Sequence, residues 1–319
     1  MPKKPVHNLD ISAFYILGLL GGFAVSNQSP INARLGGALK SPFRAAFLSF
    51  SLGVIFLGAI AFIQNPHFLG DIIALTKTNQ PWWVYSAGIF SMLYQTSNIL
   101  LFKNVGAVKT VVLPTLGQVV MSMMIQTLGW VGAETVALTA VKVIGVILVM
   151  IGVLVAVVLS ARLENKNGSA PTGSIFWHVW GILTGMFASF QQAITGHLGH
   201  LLGAPVDGAF VSFVGALILL TILVAIKERP LFNREGMKTA PWWAFLGGIP
   251  GSLFVFFIGI VVPVLGPGMG AILGLMGMLI GTIIVQQFGW YQSVKKRVNY
   301  MQILGIIIMV VGVALIQLV

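Results

Sequence analysis

The chain has 319 residues, of which 57% are hydrophobic and only 8% charged, and its mean hydropathy is +0.96. A soluble domain carries about 25% charged residues, so a water-soluble globule is excluded. The formal net charge of +11 does not point to nucleic acid, because the basic residues stand in short connections between apolar runs, as a positive-inside signal does.

Apolar runs of roughly 20 residues, the length a helix needs to cross a bilayer, occupy 11–32, 44–64, 82–103, 107–128, 139–161, 176–198, 207–226, 242–263, 267–289 and 300–319. The first run is too long for a cleavable signal and is expected to remain as a span. Connections are short except near 65–80, 162–175 and 227–241. The stretch 162–175 is polar and rich in Gly, Ser, Pro and Asn, so it reads as a linker between two halves. There is no cysteine, which rules out disulfides, thiol catalysis and cysteine-based metal sites.

The halves repeat one another. Gly18, Gly22, Ser26, Gln28 and Gly36 return as Gly181, Gly185, Ser189, Gln191 and Gly199, an offset of 163. Beyond the second span the offset becomes 160: Pro81-Trp82-Trp83 matches Pro241-Trp242-Trp243, Gln126 and Trp130 match Gln286 and Trp290, and Gly145 and Gly152 match Gly305 and Gly312. The expected domains are residues 1–165 and 166–319. Five spans per repeat is an odd number, so the second repeat enters the membrane inverted, the symmetry transporters use for alternating access. The expected fold is an all-α integral membrane protein of ten transmembrane helices in two inverted five-helix repeats.

Charge sets the orientation. Of the 18 Lys and Arg residues, Lys3, Lys4, Lys77 and Lys142 fall on one side and the other 14 on the opposite side, which is therefore expected to be cytoplasmic. Both termini then face outward.

Gln28-Ser-Pro-Ile-Asn32-Ala-Arg-Leu-Gly36, the following Pro42 and Ser49-Phe50, the Pro-Trp-Trp before the third span and Gln126 to Trp130 resemble the YdcZ-type inner-membrane family of the drug/metabolite transporter superfamily. The resemblance covers nearly all of both halves and implies a fused ten-span secondary transporter or exporter in the inner membrane. It supplies no substrate. In the second half Gln191 is kept, but Ala193 and Thr195 replace the proline and asparagine.

Candidate substrate-binding residues are the polar groups inside the spans: Gln28, Asn32, Gln95, Asn98, Gln191 and Thr195. Polar side chains in a bilayer are costly unless they line a cavity or bond between helices, and both readings stand for Gln28 and Gln191. Gln95 and Asn98 share one helix face, whereas their second-half counterparts Val255 and Ile258 are apolar, so the cavity is expected to be lined mainly by one half. The two Pro-Trp-Trp motifs read as interfacial helix starts. Gly266, Gly270, Gly274, Gly277 and Gly281 read as a packing stripe, with a sliding or dimer contact as the alternative.

All seven carboxylates (Asp10, Asp71, Glu134, Glu164, Asp207, Glu228 and Glu235) fall outside mid-span, which argues against a proton-coupled exporter of hydrophobic cations. No P-loop, nucleophile elbow or metal motif occurs, so no enzyme and no cofactor are expected. The expected activity is secondary transport of a small neutral or zwitterionic metabolite, in contact with membrane lipid and with a homodimer possible. The alternative is a non-transporting scaffold or a lipid-passing module.

Overall fold

In the computed structural model the described residues, 11–133, 135–159, 174–228, 233–265 and 267–318, form helices and turns without a strand. The first half carries α1 (Ile11–Ser26), α2 (Gln28–Leu39), α3 (Pro42–Gln64), α4 (Phe68–Thr76), α5 (Ala87–Val105), α6 (Ala107–Leu128) and α7 (Ala140–Leu154). The second carries α8 (Ile175–Leu202), α9 (Pro205–Lys227), α10 (Arg234–Thr239), α11 (Gly248–Leu265), α12 (Pro267–Phe288) and α13 (Tyr300–Leu318). Among the described residues, seven helical segments are long and apolar enough to cross a membrane, so this is a multi-pass membrane protein. Tyr300–Ile316 is apolar but shorter. Residues 160–173 of the expected linker, the 165/166 boundary and Gly266 lie outside the described residues.

α1 and α2 form one rod of 29 residues, Ile11–Leu39, with a break at Asn27. Pro30 causes the break: it lacks an N–H, and its ring crowds the Ser26 carbonyl four residues back. The Asn27 N–H donates to Ala24 at 3.1 Å, a tightened turn. The Phe23 carbonyl it leaves accepts instead from Asn27 Nδ2 at 2.6 Å and Ser26 Oγ at 2.7 Å. In α8, Ala193 stands in place of Pro30, and the helix runs unbroken for 28 residues.

Packing between the halves is reciprocal. α1 lies against α11 and α12, and α8 lies against α5 and α6. Gly18 meets Leu273, while its equivalent Gly181 meets Leu113. A Cβ on Gly22 would strike the Gly274 carbonyl, and one on Gly185 would strike the Pro114 carbonyl. Gly277 is pressed on Leu19, and Gly117 on Ile182, in the same way. Such glycine contacts let helices approach closely where lipid supplies no hydrophobic drive. The glycine stripe of α12 is therefore divided: Gly270 and Gly274 face α11, and Gly277 and Gly281 face α1.

Two pairs of corresponding helices pack antiparallel. On α3 and α9, Leu57 and Ala61 cluster with Val206 and Ala209, while Ala45 and Phe50 cluster with Ala216 and Leu220. Between α7 and α13, Gly145 faces Gly312 and Ile316, whereas Gly152 faces Gly305 and Met309. The turns after α6 and α12 match closely. Val131 and Tyr291 both take left-handed φ values, 49° and 58°. The Val136 N–H bonds the Gln126 carbonyl at 3.1 Å, and the Lys296 N–H bonds the Gln286 carbonyl at 2.9 Å.

The connection near 65–80 contains α4, which was not expected. It buries Phe68 and Leu75 and exposes Leu69 and Ile73. A helix this short owes its stability to that packed face rather than to propensity. In each Pro-Trp-Trp motif the first Trp is exposed (Trp82 80%, Trp242 76%), and the second packs inward, Trp83 on His197 and Trp243 on Tyr291.

Candidate binding cleft

Polar groups cluster at the Asn27 break. Ser26, Gln28 and Ser29 at the break face Tyr94, Gln95 and Asn98 of α5, Thr110, Pro114 and Gln118 of α6, and Met278 and Thr282 of α12. Together they line a cleft of about 510 Å³, its open side included, which reaches Phe102 and Ala107 at the α5–α6 turn. Gln118 and Met278 are equivalent positions of the two halves, so the cleft lies where the repeats meet.

Among the described residues, no charged side chain lines it. Gln95 and Asn98 are 6% and 5% exposed, and Gln28 is half-buried. Tyr94 and Asn98 stand one helical turn apart on α5. The hydroxyls of Thr110 and Thr282 donate to the carbonyls of Gly106 and Met278 at 2.7 and 2.6 Å, which leaves their oxygens free to accept. Among the described residues, the carboxamides of Gln28 and Gln95 have no hydrogen-bond partner. Each amide carries two donors and an acceptor. The wall therefore matches an uncharged or charge-balanced polar solute better than a lone ion.

Gln28, Gln95 and Asn98 are thus brought together, and the other three candidates stand apart. Asn32 is fully buried, donates to Ser49 Oγ at 3.1 Å and packs its Oδ1 against Gly247, so it ties α2 to α3. Gln191 donates to Thr195 Oγ1 at 3.2 Å within α8. Neither duplicated glutamine forms an interhelical hydrogen bond among the described residues. The second-half counterparts of the polar wall are filled with carbon: Phe254 packs over Gly274, and Val255 joins the cluster around Leu57 and Val206.

Gln118 and Thr282 were missed. The signal for Gln118 was present, since Thr110, Pro114 and Gln118 recur every four residues along α6. Thr282 stands alone in an apolar run, and only tertiary packing reveals its role.

A family model described as "Putative inner membrane exporter, YdcZ" matches residues 13–155 and again 176–315. No curated protein matches the chain. Among solved structures, one crystal structure that is 16% identical superposes with a TM-score of 0.58, covering 96% of this chain and 97% of that one. At that identity the likeness carries the fold alone.

Proposed function

The chain belongs to the YdcZ family of inner-membrane exporters, and from that premise we propose that it is a secondary transporter of a small neutral or zwitterionic metabolite. It works by alternating access between two inverted repeats of five spans each, ten in all. The observation that carries the reading is the uncharged polar cleft at the meeting of the halves, with Gln28 and Gln95 free to bond a solute. Inversion is supported by the opposed directions of α3 and α9 and of α7 and α13. The family is one of exporters rather than of enzymes.

With the charge-based orientation, the α5–α6 turn faces the cytoplasm, so this state is open inward. The equivalent outer cleft would form around Ser189, Gln191 and Gln192 once Phe254 and Ile258 move aside. The test is a thermal-shift screen of metabolites on the purified protein, since a ligand that binds the folded state raises its stability. Solute counterflow in proteoliposomes follows for each hit. Selective counterflow supports transport; lipid scrambling without solute selectivity, or no flux of either kind, replaces it with the lipid-passing or scaffold reading.

A further inference from the structure

The halves carry opposite charges at one pair of equivalent positions. Arg44 and Asp207 each stand third in their helices, α3 and α9. Arg44 is tied to the other half: its Nε lies 3.7 Å from the Glu228 carboxylate, and its Nη2 donates to the Glu228 carbonyl at 2.5 Å. The repeat puts Asn65 at the position equivalent to Glu228, and Asn65 donates to Asp71 at 2.7 Å. Asp207 is 2% exposed as a residue; its carboxyl makes no hydrogen bond among the described residues, and its oxygens are not sealed from water. Asp71 acts on it as a like charge. Phe68 of α4 holds that helix against the start of α9 through an edge contact with Phe210 at 5.2 Å.

A largely buried carboxylate without a protein donor or counter-charge is costly, and a neighbouring carboxylate adds to the cost. The helix start favours the anion, but its N-cap is Ala204, which offers no side chain. The other titratable groups on the packed elements are His67 before α4 and His197 and His200 on the last turns of α8. Among the described residues, no group of three or more His, Cys, Asp or Glu is gathered to hold a metal ion. A proton needs no such set.

We infer that Asp207 binds a proton at the end of the molecule opposite the cleft mouth, and that this proton is exchanged as the two halves rearrange. The second clause rests on the transporter reading. Ala87 at the start of α5 clusters with Ile194 and Leu198 near the end of α8. The cleft reaches the other end of α5, so the two sites sit at opposite ends. The start of α9 lies against the turn of α8 that carries the duplicated glutamine: Gly208, next to Asp207, packs on the backbone of Thr195 and Gly199, and the Thr195 hydroxyl accepts from Gln191. No bond other than the O–H of the acid forms or breaks.

Difference infrared spectroscopy of the full chain in liposomes, scanned between about pH 5 and pH 8, tests whether the Asp207 carboxyl carries a proton where an ordinary Asp is ionised. The expected result is a protonated-carboxyl band that is lost in Asp207→Asn, kept in Asp207→Glu and moved to lower pH in Asp71→Asn. A band that persists in Asp207→Asn, no band in the wild type, or a band removed by sodium or potassium at constant pH overturns the proton site. The second readout labels a single cysteine at the exposed Thr76 on α4. Its rate is expected to depend on pH in the wild type and in Asp207→Glu but not in Asp207→Asn; a pH-independent wild type overturns the exchange. Neither readout needs a substrate. A missing band therefore leaves the transport reading standing, and failed counterflow leaves the proton site standing.

Discussion

Replacing Gln28 by leucine separates binding from folding. Gln28 is half-buried on the cleft wall, and its carboxamide has no hydrogen-bond partner among the described residues, so leucine removes no internal bond. Its amide packs against Gly251, and a leucine of similar volume keeps that contact. Stability is then expected to change by no more than about 0.5 kcal/mol, the range of substitutions that break no structural feature. A bound polar solute would face an unsatisfied contact costing about 1–3 kcal/mol. That corresponds to roughly 5- to 150-fold weaker binding. The assay is ligand titration by thermal shift or calorimetry on a hit from the metabolite screen, followed by counterflow. Gln191→Leu is the companion variant: Gln191 is outside the inward cleft, so binding there should hold while turnover falls. Wild-type affinity and rate in Gln28→Leu would refute the cleft as the binding site.

Pro30→Ala should return the Asn27 N–H to Phe23 and straighten the first rod. Stability is expected to rise by up to about 3 kcal/mol, the cost of proline in a helix interior, while counterflow falls; the thermal midpoint and the flux check the two arms. Gly22→Ala should destabilise by about 1–3 kcal/mol through overpacking against the Gly274 carbonyl. Gly196→Ala, where an added Cβ meets nothing within 4 Å, should instead stabilise by about 0.5–1 kcal/mol, and thermal unfolding in detergent compares them. Arg44→Ala should cost about 1.5–3 kcal/mol, the range for hydrogen bonds to a charged group, and salt should narrow the gap as it screens the part-exposed Glu228 pair. A cysteine at Asn79 should react with an impermeant reagent in intact cells and one at Lys238 should not; the reverse pattern inverts the assigned orientation.

Much of the fold was legible because the bilayer leaves few choices. A chain with 57% hydrophobic residues in runs of bilayer length has to satisfy its backbone within helices. Two fixed offsets of matching Gly, Pro and Trp then announced the repeat, since those residues mark turns and close contacts that sequence preserves visibly. Gln95 and Asn98 were legible as a pair because helical spacing puts both on one face.

Other features depended on the partner helix. The amide of Asn32 and that of Gln28 look alike in sequence and lie four residues apart, yet one is closed onto Ser49 and the other faces the cleft. Asp207 reads as a span-end carboxylate, and only the packing of the helices around the start of α9 leaves it 2% exposed. The sequence by itself determined the class of the protein, its helices and its duplication, because periodicity and hydropathy are local. Which polar groups meet solute and which meet protein was decided by the tertiary structure, because that depends on the helix packed opposite, a contact between residues far apart in the chain.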